Sequence, residues 1–143
     1  MALTFTRELE PLTSSGLELD EPSLDLRGRE IVDRDDNTVG TVVELLIDPS
    51  LRIPRMLVLE TGGLLGIGKK QYLVPLEAVH DDGRQLRMQW HKDEITNEPE
   101  YHAADGDEEE LQYVQVYAAY NMRPYWEVEA AAPSATTVET NTR

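Results

Sequence analysis

The stretch "TGGLLGIGKKQYLVP", residues 61–75, places four glycines within seven residues and follows them with two lysines. Read from Gly63, it has the spacing G-x-x-x-x-G-K-K, one residue away from a nucleotide-binding P-loop. A P-loop also needs a helix after the glycines and a Ser or Thr after its Lys. Here "QYLVP" predicts a short strand that Pro75 ends, and position 70 is a second lysine. The stretch therefore predicts a glycine-rich turn between two strands.

The apolar residues of this turn need a separate explanation. Leu64, Leu65 and Ile67 would be costly in water unless they fold back on the core or meet a partner. We predict that they form a partner-contact edge, together with the adjacent Lys69 and Lys70.

The net charge restricts the classes of partner. The chain has 13 Lys and Arg against 28 Asp and Glu, which gives a formal charge of -15. A nucleic-acid-binding surface normally carries a basic patch, and anionic lipid attracts basic segments. We therefore expect no direct nucleic-acid contact, and we expect a protein partner that is either basic or a second copy of the chain. For the charge taken alone, an ordinary solvated acidic surface is the favoured interpretation, and a basic partner and a salty cytoplasm are the alternatives.

The 143 residues are enough for one domain, and no run approaches the 18 or so apolar residues of a membrane span. The first 15 residues lack a basic segment followed by an apolar run, so they do not form a signal peptide. Cysteine is absent, and nothing in the chain requires an oxidising compartment. We expect a cytoplasmic protein without a membrane span.

Residues 26–90 alternate between short apolar runs and turn-forming residues, which is typical of a small all-β barrel or sandwich. Turns are predicted at 34–40, where Gly40 is available for a positive φ, and at 81–85. The predicted strands are residues 29–33, 41–48, 55–60, 71–75 and 86–90.

The C-terminal part changes to a helical period. Residues 92–99 predict one or two helical turns, and residues 104–121 predict the best helix of the chain. Asp107 and Glu110 have the spacing of a capping box at its start. The helix has two adjoining stripes that would lie on the barrel or on another subunit: Leu111, Val114 and Ala118, and then Tyr113, Val116, Tyr117 and Tyr120.

The segment "MRPYWEVE", residues 122–129, concentrates residue types that anchor protein interfaces. We predict partner contacts for Arg123, Tyr125 and Trp126, and for Tyr117 and Tyr120 on the preceding helix. An equally weighted alternative is that Tyr125 and Trp126 cap the core of a small domain.

No catalytic, cofactor-binding or metal-binding residue is predicted, and we expect that the protein is not an enzyme. The three histidines are 11 residues apart and lack metal-ligand spacing. Residues 33–37, "DRDDN", resemble a fragment of a calcium loop without its remaining ligands, so a turn is the better interpretation.

Several of these pieces together resemble the PRC-barrel family, named for the cytoplasmic domain of the photosynthetic reaction centre H subunit. They are "DLRG" at 25–28, Gly40-Thr41-Val42, Asp48 at a strand end, and "GGLLGIGKKQYLVP" at 62–75. "WHKDEITNEPEY" (90–101) and "YAAYNMRPYW" (117–126) are similar to the segments that follow the barrel in the H subunit. Asn121 stands where that second pattern usually has Gly, and Asn also tolerates a left-handed helix cap.

The resemblance implies a mainly β fold: a small PRC-type barrel of five to six strands with a C-terminal helix packed on it. We divide the chain into an extended, loosely packed arm (1–23), the barrel (24–91), a helical extension (92–126) and a disordered tail (127–143). The H subunit has a membrane helix before its barrel, and this chain has none.

The family resemblance also implies a function. Stand-alone barrels of this kind act as protein-interaction modules and often self-associate, so we expect a non-enzymatic assembly module that forms a homodimer or larger oligomer. The alternative is an adaptor linked to ribosomes or RNA processing, by analogy with maturation factors of the RimM type. Those factors pair this barrel with another domain.

Overall fold

The computed structural model describes residues 9–62 and 68–128, which form one curled mixed sheet and three helices. Six strands have the spatial order β5-β4-β3-β2-β7-β6, and the two-residue β1 pairs with β3. All neighbours are antiparallel except β2 and β7. The strands are β1 (Glu10–Pro11), β2 (Glu30–Val32), β3 (Thr38–Asp48), β4 (Ile53–Thr61), β5 (Lys70–Pro75), β6 (Val79–Asp81) and β7 (Leu86–Met88).

The helices are α1 (Leu12–Ser15), α2 (Lys92–Thr96) and α3 (Gly106–Ala119), and residues 125–128 add a further helical turn. The predicted mainly β fold with a C-terminal helix is confirmed, and the sheet is an open half-barrel in the part of the chain that is described. None of the helices built from these residues has the length and apolar character that a bilayer crossing requires.

The long hairpin β3–β4 is buried on both sides, because it lies between two clusters of apolar residues. Inside the curl, Val42, Leu45 and Leu57 pack with residues from β2, β5 and β7. On the other side, a second cluster joins the sheet to α3 through Leu46, Met56, Val58, Leu73, Tyr113, Tyr117 and Tyr125. The helix therefore covers the outer surface of β3, β4 and β5.

Gly40 corrects one prediction. It lies inside β3 and not in the preceding turn, where the positive φ of 69° belongs to Asp36. A Cβ atom on Gly40 would lie 2.2 Å from the backbone oxygen of Glu60. Glycine is needed here because β3 and β4 approach closely, and not for a left-handed conformation.

The N-terminal arm is packed more closely than we predicted. β1 adds to the edge of β3 opposite Leu46 and Ile47, and Leu12 and Leu19 are buried in the core inside the curl. The carboxylate of Glu44 also accepts a hydrogen bond of 3.2 Å from the backbone N–H of Thr13. Of the predicted tail, residues 129–143 lie outside the described ranges.

Asn121 ends α3 as its residue type predicts, in the left-handed conformation with φ 56°. The N–H of Asn121 donates to the carbonyl of Ala118 (3.0 Å), and the N–H of Met122 donates to that of Tyr117 (2.9 Å). These two bonds define a Schellman motif. The motif turns the chain back, so that the residues after α3 return to the sheet.

Candidate protein-interaction surface

The two stripes predicted on α3 lie in different environments. The inner face, formed by Tyr113, Tyr117 and Tyr120, is buried against the sheet. The outer face, formed by Leu111, Val114, Gln115 and Ala118, is exposed, with Leu111 55% and Val114 47% accessible. Only the aromatic stripe therefore contributes to the core of the chain.

The outer face is also free of charge. No residue from Leu111 to Met122 is charged, although charged residues make up 29% of the chain. The acidic residues of α3 are confined to its first turn, residues 107–110. An exposed helix surface that combines large apolar side chains with a lack of charge has the composition of an interface core.

The predicted interface anchors after α3 are mostly used within the chain. Tyr125 is buried, and the guanidinium of Arg55 lies 4.5 Å from the centre of its ring. Trp126 is half-buried and packs edge-on against Tyr117 and Tyr125, with ring centroids 5.7 and 5.1 Å apart. This placement fits the alternative in which these aromatics cap the core, and a partner contact by them stays a prediction. Arg123 is exposed.

The lysines beside the glycine turn form only loose ion pairs. Lys69 Nζ lies 3.6 Å from Glu60 Oε1, and Lys70 Nζ lies 4.0 Å from Glu100 Oε2. Both lysine side chains are about half exposed, so each pair stabilises the fold by less than about 1 kcal/mol. The predicted contact residues Leu64, Leu65 and Ile67 lie outside the described ranges, and their role stays a prediction.

Glu109 is a buried carboxylate that the sequence did not single out among four consecutive acids. Its Oε2 accepts hydrogen bonds from the hydroxyls of Tyr101 (2.7 Å) and Tyr113 (2.8 Å). Its Oε1 accepts from the backbone N–H of Ala104 (2.9 Å). Burial, and then the bond to Glu109, raises the pKa of both phenols well above the ordinary value. The carboxylate thus fastens the segment before α3 to the helix.

The capping box predicted from Asp107 and Glu110 is wrong. The residue before the first helical one is Asp105, whose side chain makes no capping bond, and Glu109 supplies the carboxylate that reaches back to Ala104. The i, i+4 spacing of Glu109 and Tyr113 is the one sequence signal that could have indicated the hydrogen bonding of Glu109.

A cavity of about 230 Å³ lies beside Glu109, between the N-terminal arm and the start of α3. Leu9, Pro11 and Leu46 form much of its apolar wall. Its polar lining includes Tyr101, Glu109 and Tyr113, which already bond to one another. Asp105 and Glu110 also line the cavity, and we assign no ligand to it.

Asp33 is the second buried carboxylate, and the sequence placed it at the end of a predicted strand and in the turn that follows. Its Oδ1 accepts the backbone N–H groups of Asp35 and Asn37, each at 2.8 Å. Its Oδ2 accepts the N–H of Lys92, 59 residues away, also at 2.8 Å. Burial alone would raise the pKa of Asp33, but these backbone bonds and the side chain of Asn37 outweigh it and lower the pKa to about 2. Asp33 thus joins the β2–β3 turn to the start of α2.

His91 contacts Asp35 through Nδ1 at 2.7 Å. Within residues 9–62 and 68–128, no three His, Asp or Glu side chains are grouped in a way that could hold a metal ion.

Half of the chain matches a known protein family. The model of the PRC-barrel domain matches residues 23–94, which make up half of the chain and contain β2 to β7 and the start of α2. The match does not include α3 or the aromatic residues after it. No curated protein matches the chain. From the family match and the fold together, the chain belongs to the PRC-barrel family.

Proposed function

We propose that this protein is a non-enzymatic interaction and assembly module that acts in the cytoplasm, binds protein partners and associates with itself. The observation that carries the proposal is the outer face of α3, where Leu111 and Val114 are exposed on a surface without charge. Exposed apolar area is unfavourable in water, and its burial against a partner is the usual driving force for association.

The two buried carboxylates support a non-enzymatic role. Asp33 and Glu109 are groups that burial could adapt for acid–base chemistry. Each accepts three or more hydrogen bonds from its own chain, and these bonds join separate segments of the fold. We therefore assign both of them to the architecture.

Nucleotide binding through Lys69 and Lys70 is the enzymatic rival, and thermal denaturation with added ligand tests it. We expect ATP, GTP or NAD with magnesium to leave the melting temperature unchanged, because the lysines are exposed and a strand follows them. A rise in melting temperature that grows with nucleotide concentration would contradict the proposal.

Self-association is tested by light scattering over a range of protein concentrations. We expect the mean mass to rise from that of one chain toward two. The variant Val114→Glu should prevent this rise, since it places a charge on the outer face. Leu51→Glu is the matched control, because Leu51 is 52% exposed in the turn between β3 and β4. A mean mass equal to that of one chain at every concentration would contradict self-association.

A second candidate is an adaptor for a basic protein, for example one of the ribosome. The charge of -15 favours it, because complementary charge accelerates and directs association. Affinity purification followed by mass spectrometry tests it: ribosomal proteins that are retained at low salt and lost at high salt would support the adaptor. Their absence at low salt would contradict it.

A further inference from the structure

We propose that the outer face of α3 is covered by the same face of a second copy, with the two α3 helices antiparallel about a two-fold axis. The inference rests on the proposed self-association. It adds the surface, the orientation and the register of the contact.

The spacing of the residues on this side of α3 fits one neighbouring helix. Asp107, Leu111, Val114 and Ala118 are separated by four, three and four residues, which is the repeat that keeps side chains on the seam between two packed helices. The opposite side of α3 already packs against the sheet. The exposed seam is therefore available to a second helix, and its small Ala118 allows a close approach.

Charge decides the orientation. A parallel pair would bring the acidic first turns of both helices, residues 107–110, within roughly 8–10 Å of each other. An antiparallel pair instead places each acidic turn beside residues 115–118 of the other copy, none of which is charged. The register that brings all four seam positions into contact sets Leu111 opposite Val114 of the second copy. It also sets Ala118 opposite Asp107 of the second copy.

The size of the contact indicates a reversible dimer. A helix of 14 residues is roughly 21 Å long. The area that one such pair can bury is below the roughly 800 Å² per partner of a standard stable interface. The two chains also repel each other, since each carries a charge of -15. Added salt should therefore strengthen this dimer by screening the repulsion, whereas it would weaken binding to a basic partner.

Disulfide trapping tests the orientation, because the natural chain has no cysteine. Asp107→Cys and Ala118→Cys are made in separate chains of different size and mixed under mild oxidation. We expect the mixed disulfide, since the two positions face each other. Neither variant should link to itself, because two copies of residue 118, or of residue 107, lie roughly 16 Å apart along the axis. A disulfide requires Cα atoms within about 7 Å.

Leu51→Cys is the control, since it reports cross-linking by random collision at an exposed position far along the chain from α3. Efficient self-linking of Ala118→Cys would overturn the antiparallel arrangement. Dimers in light scattering without mixed disulfides above the control rate would overturn the α3 contact, while self-association itself would stand. A single chain at every concentration and salt level would overturn both.

Discussion

Asp33 and Glu109 are both buried carboxylates held by neutral donors, and they differ in what they join. Asp33 receives three backbone N–H groups, one of them from Lys92, which is 59 residues away. Glu109 receives two phenol hydroxyls and one backbone N–H, all from residues within eight positions of it. The first carboxylate therefore links distant parts of the fold, and the second fastens one local segment. Removal of Asp33 should weaken the whole domain, and removal of Glu109 should loosen one region.

Asp33→Ala should have the largest effect. It leaves the backbone N–H groups of Asp35, Asn37 and Lys92 without their acceptor in a partly buried place. We expect the melting temperature to fall by about 10 °C or more, in a single cooperative transition. Circular dichroism measures it. The control is Asp35→Ala, which removes an exposed carboxylate of the same turn together with its surface contact to His91. Equal losses in the two variants would refute the role given to Asp33.

Glu109→Ala should cost about 2–3 kcal/mol, because two phenols and one backbone N–H lose a buried acceptor. Hydrogen exchange should show that protection is lost first in residues 101–110, while β3 and β4 stay protected. Glu108→Ala is the control, since the neighbouring Glu108 is exposed. A uniform loss of protection across the sheet would remove the distinction between the two carboxylates.

Asp33→Asn should lower the melting temperature by about 5 °C, which is less than the alanine variant does. The reason is that the amide oxygen still accepts the hydrogen bonds of the turn. The effect should depend on pH. The folded-state pKa of Asp33 is about 2, below the ordinary 3.8, so its charge stabilises the fold above about pH 4. This contribution is lost as the pH falls toward 2.

The difference in melting temperature between wild type and Asp33→Asn should therefore shrink from pH 5 to pH 2. The pKa of Asp81 is also about 2, because of its hydrogen bond to Arg29. Both proteins retain this pair, so its contribution cancels in the difference between their melting temperatures. A difference that stays constant over this range would contradict the assignment.

Tyr101→Phe should have the smallest effect, about 1 kcal/mol, since it removes one of the three donors to Glu109 and leaves the ring in place. A denaturant titration measures it. In the Glu109→Ala background the same change should cost almost nothing, because its acceptor is already gone. If the losses of unfolding free energy in Tyr101→Phe and Glu109→Ala simply add in the double variant, the Tyr101 hydroxyl acts through another partner.

The sequence by itself predicted β2, β3, β4, β5, β7, α2 and α3, whereas β1, β6 and α1 were not predicted. Alternating apolar residues and turn signals were enough for the main strands. The strand that ends at Pro75, and a lysine at position 70, argued against a P-loop. Asn121 at the end of a helical period predicted the left-handed cap that the chain adopts. These signals succeed because strand alternation, proline geometry and helix caps depend on neighbours within a few residues.

Only the tertiary structure decided which groups are buried. Gly40 was recognised as special, but the close approach of Glu60 that requires it comes from strand pairing. Four acids in a row are equivalent in sequence, and Glu109 differs because the fold turns it toward Tyr101 and Tyr113.

The tertiary structure also decided which side of α3 is buried. Both of its apolar stripes have the composition of a core surface. The aromatic stripe is buried because it meets Met56 and Leu73 on the outer side of the sheet, and the larger rings fill that space. The stripe of Leu111 and Val114 is exposed as a consequence. Whether a surface is buried depends on that surface and on the one it packs against. The sequence of a helix specifies only the helix's own surface.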